Sequence, residues 1–133
     1  MPGRGYGDDT DFDSALRWVD EWESNIAEQA ARAQALSHRI ATLTATATSP
    51  DGLVTVTVDS AGGLRELRLD EAIRRRPAQD IAAQILSVTQ LAMRRLVEQV
   101  SHATEETLGR DTPAGRAIIE SYEKRLRPPN ATV

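Results

Sequence analysis

The sequence predicts an α+β fold: a long helix, a three-stranded antiparallel meander, a second long helix and a short C-terminal helix. Two long stretches carry apolar residues at helical spacing, and three short runs between them alternate apolar and polar residues. A length of 133 residues allows one domain. A composition of 40% hydrophobic and 27% charged residues is typical of a globular protein.

The chain opens with a segment unlike the rest. Residues 1–10 combine three glycines and a proline with acids, which predicts a flexible acidic lead. From Phe12, Leu16 and Val19 onward, apolar residues recur in steps of four and three, which predicts a helix over roughly residues 11–41. Such a helix is about 45 Å long. It overhangs any core that this chain can build, so we expect its far end to pack on another helix.

Three alternating runs predict the sheet. They cover residues 42–48, 53–59 and 64–69. The first two are joined by Ser49-Pro50-Asp51-Gly52, where Pro sets φ, Asp accepts a local hydrogen bond and Gly adopts a positive φ. A second turn contains Gly62-Gly63. Short turns between alternating runs predict an antiparallel meander.

Capping signals place the two remaining helices. Asp80 is the predicted N-cap of a helix that ends at Leu108, with Gly109 as its C′ residue. Thr112 and Pro113 then predict the start of a shorter helix. The predicted organisation is a lead over residues 1–10, an α-β-β-β-α domain over 11–108, a C-terminal helix extension over 109–127 and a tail over 128–133.

Motifs for catalysis or metal binding are missing from the sequence. There is no cysteine, which removes disulfides and thiolate chemistry. His38 and His102 lie on different predicted helices, whereas a metal site needs three or four converging ligands. We therefore expect no enzymatic activity, no catalytic residue, no metal and no cofactor. No apolar run is long enough for a membrane span and no signal peptide is visible, so we predict a cytoplasmic protein that does not contact a membrane.

The charge distribution singles out a group of arginines. The formal net charge is -4, yet residues 71–103 carry three acids and five bases. The five bases are Arg74, Arg75, Arg76, Arg94 and Arg95. They form either a solvated face that pairs with the acidic first helix or a surface that contacts phosphates, to which arginine offers a planar bidentate fork. Nothing in their spacing indicates readout of base edges.

The sheet region carries a family resemblance. The stretch from Thr46 to Asp59, including Asp51-Gly52-Leu-Val-Thr-Val, with the glycine turn and Leu64-Arg-Glu-Leu-Arg-Leu69 after it, resembles the YbaB/EbfC family of bacterial nucleoid-associated proteins. The resemblance covers roughly residues 12–105. It implies a homodimer joined through the sheets, helices that project as arms, and DNA binding at the nucleoid.

This chain departs from the family pattern in three features. Its net charge is negative, the region after the third strand is arginine-rich, and a C-terminal helix extends beyond the family's core. Relatives with this fold include accessory proteins of type VII secretion, which act on other proteins. We therefore predict a dimeric nucleoid-associated protein that binds duplex DNA with little sequence specificity. The alternative is a dimeric protein-binding adaptor of the same fold with no DNA role.

A three-stranded sheet has edges and faces that two or three helices do not fully cover, which predicts pairing across a two-fold axis. The predicted dimer-interface residues are Val54, Val56, Val58, Leu67 and Leu69. The apolar face of the C-terminal helix distinguishes the two functions. We expect Ile118, Ile119, Tyr122 and Leu126 to be buried in a DNA-binding protein and exposed in an adaptor.

Overall fold

The computed structural model of the chain describes residues 2–109 and 111–127, with side chains from residue 11 onward. Along the chain lie α1 (Pro2–Ala41), β1 (Thr44–Thr48), β2 (Val54–Asp59), β3 (Leu64–Leu69), a 3-10 helix (Glu71–Arg75), α2 (Ala78–Leu108) and α3 (Pro113–Arg125). This is the predicted α+β fold. The predicted tail over residues 128–133 lies outside the described residues.

Helix α1 begins earlier than the sequence predicts. It starts at Pro2 rather than near residue 11, so the backbone of the predicted flexible lead is helical from residue 2. Once a helix is nucleated, each further residue adds one hydrogen bond at small cost, which lets weak helix formers extend it. The chain divides within α1 into two compact units, Met1–Ala35 and Leu36–Val133. The sheet, α2 and α3 all belong to the second unit.

The sheet is the predicted antiparallel meander, in the order β1-β2-β3. Its register pairs Ala45 with Val58 and Val56 with Leu67. Strand β1 begins at residue 44 rather than 42, because the chain first closes α1: Leu43 N–H donates to Ile40 O at 2.9 Å. The predicted turns therefore lie where the sequence placed them, and only the strand ends differ.

Helix α2 covers one face of the sheet. Val54, Val56 and Val58 alternate with half-buried neighbours along β2 and are fully buried. They join the sheet's alanines and the inner face of α2 in one core, made of Ala45, Ala47, Val54, Val56, Val58, Ile73, Val88, Ala92, Leu96 and Leu126. A second cluster, of Leu36, Ile40, Val100 and Ala103, joins the end of α1 to α2.

The start of α2 corrects one prediction and its end confirms another. The N-cap is Pro77, and Asp80 lies in the first turn instead of capping the helix. Pro77 O accepts the N–H of Asp80 at 3.0 Å and that of Ile81 at 3.1 Å, so the helix is already formed before Asp80. Gly109 ends the helix with φ +86, a backbone conformation that L side chains rarely adopt.

Helix α3 starts as the sequence predicts and packs against α2. The Thr112 side chain accepts the N–H of Gly115 at 3.0 Å, and Pro113 occupies the first turn. At the other end of α3, Leu126 is buried against the β2–β3 turn. A Cβ at Gly62 would lie 2.7 Å from Leu126 Cδ2, so this turn needs a glycine both for its positive φ and for the close approach.

Candidate nucleic-acid interface

The 3-10 helix ends with Arg74 and Arg75, and Arg76 follows as its C-cap in an extended conformation. Asp70 caps the helix by accepting the N–H of Ala72 at 2.9 Å. With about three residues per turn, neighbouring side chains point about 120° apart. Arg74 is exposed and pairs with Glu71 at 3.0 Å. Arg75 is also exposed and makes no ion pair or hydrogen bond with the part of the chain that the structure describes.

Arg76 points inward and joins a polar network. Its guanidinium pairs with Asp51 at 2.7 Å and donates to the side-chain oxygen of Gln84. Gln84 in turn donates to both carboxylate oxygens of Asp51, at 2.8 and 2.7 Å. The network therefore ties the β1–β2 turn to the start of α2, and Arg76 is held by partners within its own chain.

Asp51 is the centre of this network. The hydrogen bond from Ser49 Oγ, at 2.6 Å, contributes most to holding the pKa of Asp51 well below its usual range, followed by the N–H of Leu53. Burial opposes these two effects and is smaller than either, and Gln84 and Arg76 each lower the pKa by less than burial raises it. Hydrogen bonds to the charged form favour it, so Asp51 stays a carboxylate in the folded chain.

The two arginines of α2 differ in their surroundings. Arg95 donates from Nη1 to the backbone oxygen of Thr46 at 2.8 Å. Strand β1 is an edge of the sheet, and in the alternating ladder the carbonyl of Thr46 faces away from β2. Arg95 thus caps the exposed edge of β1. Arg94 is exposed and has no such partner among residues 2–109 and 111–127.

Arg94 shares a surface depression with the end of α3. The depression is lined by Met93, Arg94, Val97, Glu98, Glu123, Leu126 and Arg127. The guanidinium of Arg125 lies 5.0 Å from the ring centroid of Tyr122. These C-terminal cations were not among the predicted site residues, although three bases within residues 124–127 are a visible signal in the sequence. Glu98 and Glu123 balance the formal charges of the two arginines that line the depression.

The five predicted arginines are therefore not equivalent. A groove lined by Gln84 and Arg94 runs between the β1–β2 turn and α2, and the Arg76 network lies at the Gln84 end of it. Gln84 and Arg94 are ten residues apart on α2, so Arg94 lies about 15 Å along the helix from the Arg76 network. Arg75 and Arg94 are available to an external phosphate, and Arg74 is held only by an exposed ion pair, which is worth little. Arg76 and Arg95 already serve the fold.

The predicted dimer-interface residues also divide into two groups. Val54, Val56 and Val58 are 0% exposed beneath α2, so α2 of the same chain occupies the face that the sequence assigned to a partner. Leu67 and Leu69 are 39% and 45% exposed. They share a face with their register partners Val56 and Val54, at the margin of the sheet that α2 leaves open. Leu64, 55% exposed, extends this apolar strip along β3.

The histidines do not gather metal ligands. His102 Nε2 contacts Glu106 at 2.6 Å, and Arg39 contacts the other oxygen of Glu106 at 2.7 Å. The hydrogen bond and charge of Arg39 lower the pKa of Glu106, and His102 adds to the effect. Among the described residues, no group of three or more His, Asp or Glu side chains could hold a metal ion. No helix in the described ranges is long and apolar enough to cross a membrane.

The meander under one long helix, with a shorter helix packed against that helix, defines a small α+β protein. A model of the YbaB/EbfC DNA-binding family matches residues 19–110. The chain belongs to this family, because the match covers more than half of its length. A search of curated proteins finds no significant match. The family match includes the sheet, the 3-10 helix and the whole of α2.

Proposed function

We propose that the protein is a dimeric nucleoid-associated protein that binds duplex DNA through phosphate contacts made by Arg75 and Arg94, with Arg74 assisting. Membership of a DNA-binding family supports the DNA partner and a location at the nucleoid. The observation that carries the residue assignment is the exposure of Arg75 and Arg94 without partners in the described chain. Arg76 and Arg95 contribute by fixing the 3-10 helix and the edge of β1.

The contacts proposed are with phosphates rather than base edges. Phosphate contacts position a protein on DNA and carry no sequence information directly. With a net charge of -4, the protein as a whole does not attract DNA, so binding depends on local phosphate contacts, is weak and falls with salt. Little sequence specificity follows from this arrangement.

The proposal is tested by titrating two duplexes of unrelated sequence at several salt concentrations. The variant carries Arg75→Ala and Arg94→Ala together. We expect its affinity for both duplexes to fall equally, and the slope of log K against log salt to shrink by about one unit per lost contact. Arg17→Ala, an exposed arginine on the acidic α1, is the matched control and keeps the slope. An unchanged slope in the double variant contradicts the assignment.

We propose that the dimer forms at β3. Leu64, Leu67 and Leu69 remain exposed on an apolar margin of the sheet, and β3 is an edge strand that no described side chain caps as Arg95 caps β1. Edge strands with apolar neighbours are sites of pairing between chains. A two-fold axis at β3 would cover the three leucines of both protomers at once.

The second candidate function is a protein-binding adaptor, and α3 does not support it. Leu126 is buried, and Ile118 and Tyr122 pack against the core clusters within the chain. Ile119 is half-buried. The exposed apolar surface that an adaptor needs lies instead on α1, where Trp18 is 65% exposed.

A further inference from the structure

Helix α1 carries an uncovered apolar stripe. Every residue from 11 to 35 is exposed. The large apolar side chains among them are Phe12, Leu16, Trp18, Val19, Trp22 and Ile26, each between 38% and 65% exposed. They form one broad face of the helix, which we call the α1 stripe. From residue 12 to residue 26 it is about 21 Å long, or four helical turns. Free proteins rarely expose an apolar patch of this kind unless it binds something.

The two tryptophans give the stripe a preformed anchor. Trp18 and Trp22 are four residues apart, and their rings lie nearly parallel, with centroids 6.5 Å apart. Aromatic side chains on a regular helix lose little conformational freedom on binding, and tryptophan is enriched among the residues that dominate interfaces. These are the chain's only two tryptophans.

Charge indicates what the stripe can bind. Residues 11–28 contain six acids and one base. Glu23 follows Val19 by four residues and precedes Ile26 by three, so its carboxylate lies within the stripe itself. Asp13 and Asp20 lie beside Leu16 at the same spacings. A duplex or an anionic lipid surface would be repelled by this helix. A second copy of α1 would bring twelve acids together with two bases.

We propose that the α1 stripe is a docking surface for a basic amphipathic helix of a protein partner. Apolar residues at i, i+3, i+4 and i+7 on the partner would pack against the stripe over four turns. Binding removes water from the Glu23 carboxylate, which is costly for an unpaired charge. A lysine or arginine of the partner opposite Glu23 would pair with this carboxylate. Cations along the partner's flanks would face Asp13 and Asp20. This surface lies in the first unit of the chain and uses none of the arginines assigned to DNA.

The full-length protein itself reports on this binding, because both of its tryptophans lie in the stripe. The probes are two helical peptides of about 20 residues with the same leucine face, one with lysines and one with glutamates at all flanking positions. We expect the lysine peptide to shift tryptophan emission to shorter wavelength in a saturable way and with higher affinity at low salt. The glutamate peptide should give no shift.

Two variants locate the contact. Leu16→Asp should lower the affinity for the lysine peptide by at least about tenfold. Its helix content by circular dichroism and its affinity for DNA should stay at the wild-type level. Glu23→Arg keeps a strong helix former, so its effect does not depend on folding. It should reduce the preference for the lysine peptide over the glutamate peptide by about tenfold or more.

The proposal has clear contrary outcomes. Equal binding of both peptides would mean that the stripe is only a hydrophobic patch. No binding of either peptide would overturn it outright. If tryptophan emission shifts with protein concentration alone, and Leu16→Asp abolishes that shift, a second copy of the chain occupies the stripe and the heterologous partner is rejected. None of these results bears on DNA binding through Arg75 and Arg94, which is measured separately.

Discussion

At the residue scale, Asp51 illustrates how one side chain can join distant parts of the fold. The turn sequence predicts that Asp51 accepts a local hydrogen bond, and the N–H of Leu53 donates to it at 3.0 Å. The sequence does not reveal that Gln84, 33 residues later, and Arg76 converge on the same carboxylate. As a result, a predicted DNA contact, Arg76, turns out to be engaged in the fold.

Asp51→Asn tests this network through its pH dependence. Because the folded pKa of Asp51 is depressed, its carboxylate stabilises the fold at pH values above its usual pKa of 3.8. This contribution is lost as the pH falls from there toward the depressed value. We expect the variant's Tm to be lower than that of the wild type at pH 7, and the difference between the two values to narrow as the pH falls below about 4. Thermal unfolding followed by circular dichroism at pH 7, 5 and 3 measures this. A Tm difference that does not change with pH contradicts the role of the charge.

At the element scale, the local signals for α3 and its packing have different origins. Thr112, Pro113 and the apolar spacing predict that a helix forms here, and the structure confirms it. Which apolar residues it buries depends on the β2–β3 turn and α2, which meet Leu126 through Gly62 and Met93. Ile119 is half-buried and Leu126 is buried. This difference therefore depends on how the helix packs in the folded unit.

Leu126→Ala measures how firmly α3 is held. The side chain is 7% exposed in the main core, so its truncation leaves a cavity and should lower the free energy of unfolding by about 2–5 kcal/mol. The matched control is Leu86→Ala, at a leucine of α2 that is 65% exposed, which should cost less than about 0.5 kcal/mol. Urea unfolding of the two variants gives both values. Equal losses would mean that Leu126 contributes no more than a surface residue.

At the scale of the whole molecule, oligomerisation at β3 remains a prediction. Of the five residues predicted for the interface, only Leu67 and Leu69 are exposed in the structure. The neighbouring exposed residue Leu64 joins them in the proposed interface. The valines could not be assigned correctly from sequence, because alternation identifies an apolar face but not whether α2 or a partner covers it. Both coverings satisfy the same pattern.

Leu67→Arg tests the dimer. The wild-type chain should scatter light at micromolar concentration as a particle of twice the chain mass. Leu67→Arg places a charge in the proposed interface and should yield a folded monomer, because an unpaired buried charge is costly. Glu66→Arg adds the same side chain to the opposite face of β3 and should leave the dimer intact. A monomeric wild type, or a dimer that survives Leu67→Arg, would falsify the β3 interface.

The elements, their order and their turns could be predicted from the sequence alone, because alternation, helical spacing and capping residues such as Gly109 and Thr112 act over a few neighbouring positions. It also carried the family resemblance, which resides in those same local patterns. The tertiary structure adds that α2 covers the valine face, that Arg76 and Arg95 have partners in the fold while Arg75 and Arg94 have none in the described chain, and that α1 rather than α3 carries an exposed apolar stripe. The physical reason is that side-chain exposure and pairing depend on groups tens of residues apart, such as Arg95 and the carbonyl of Thr46, whose proximity no local pattern encodes.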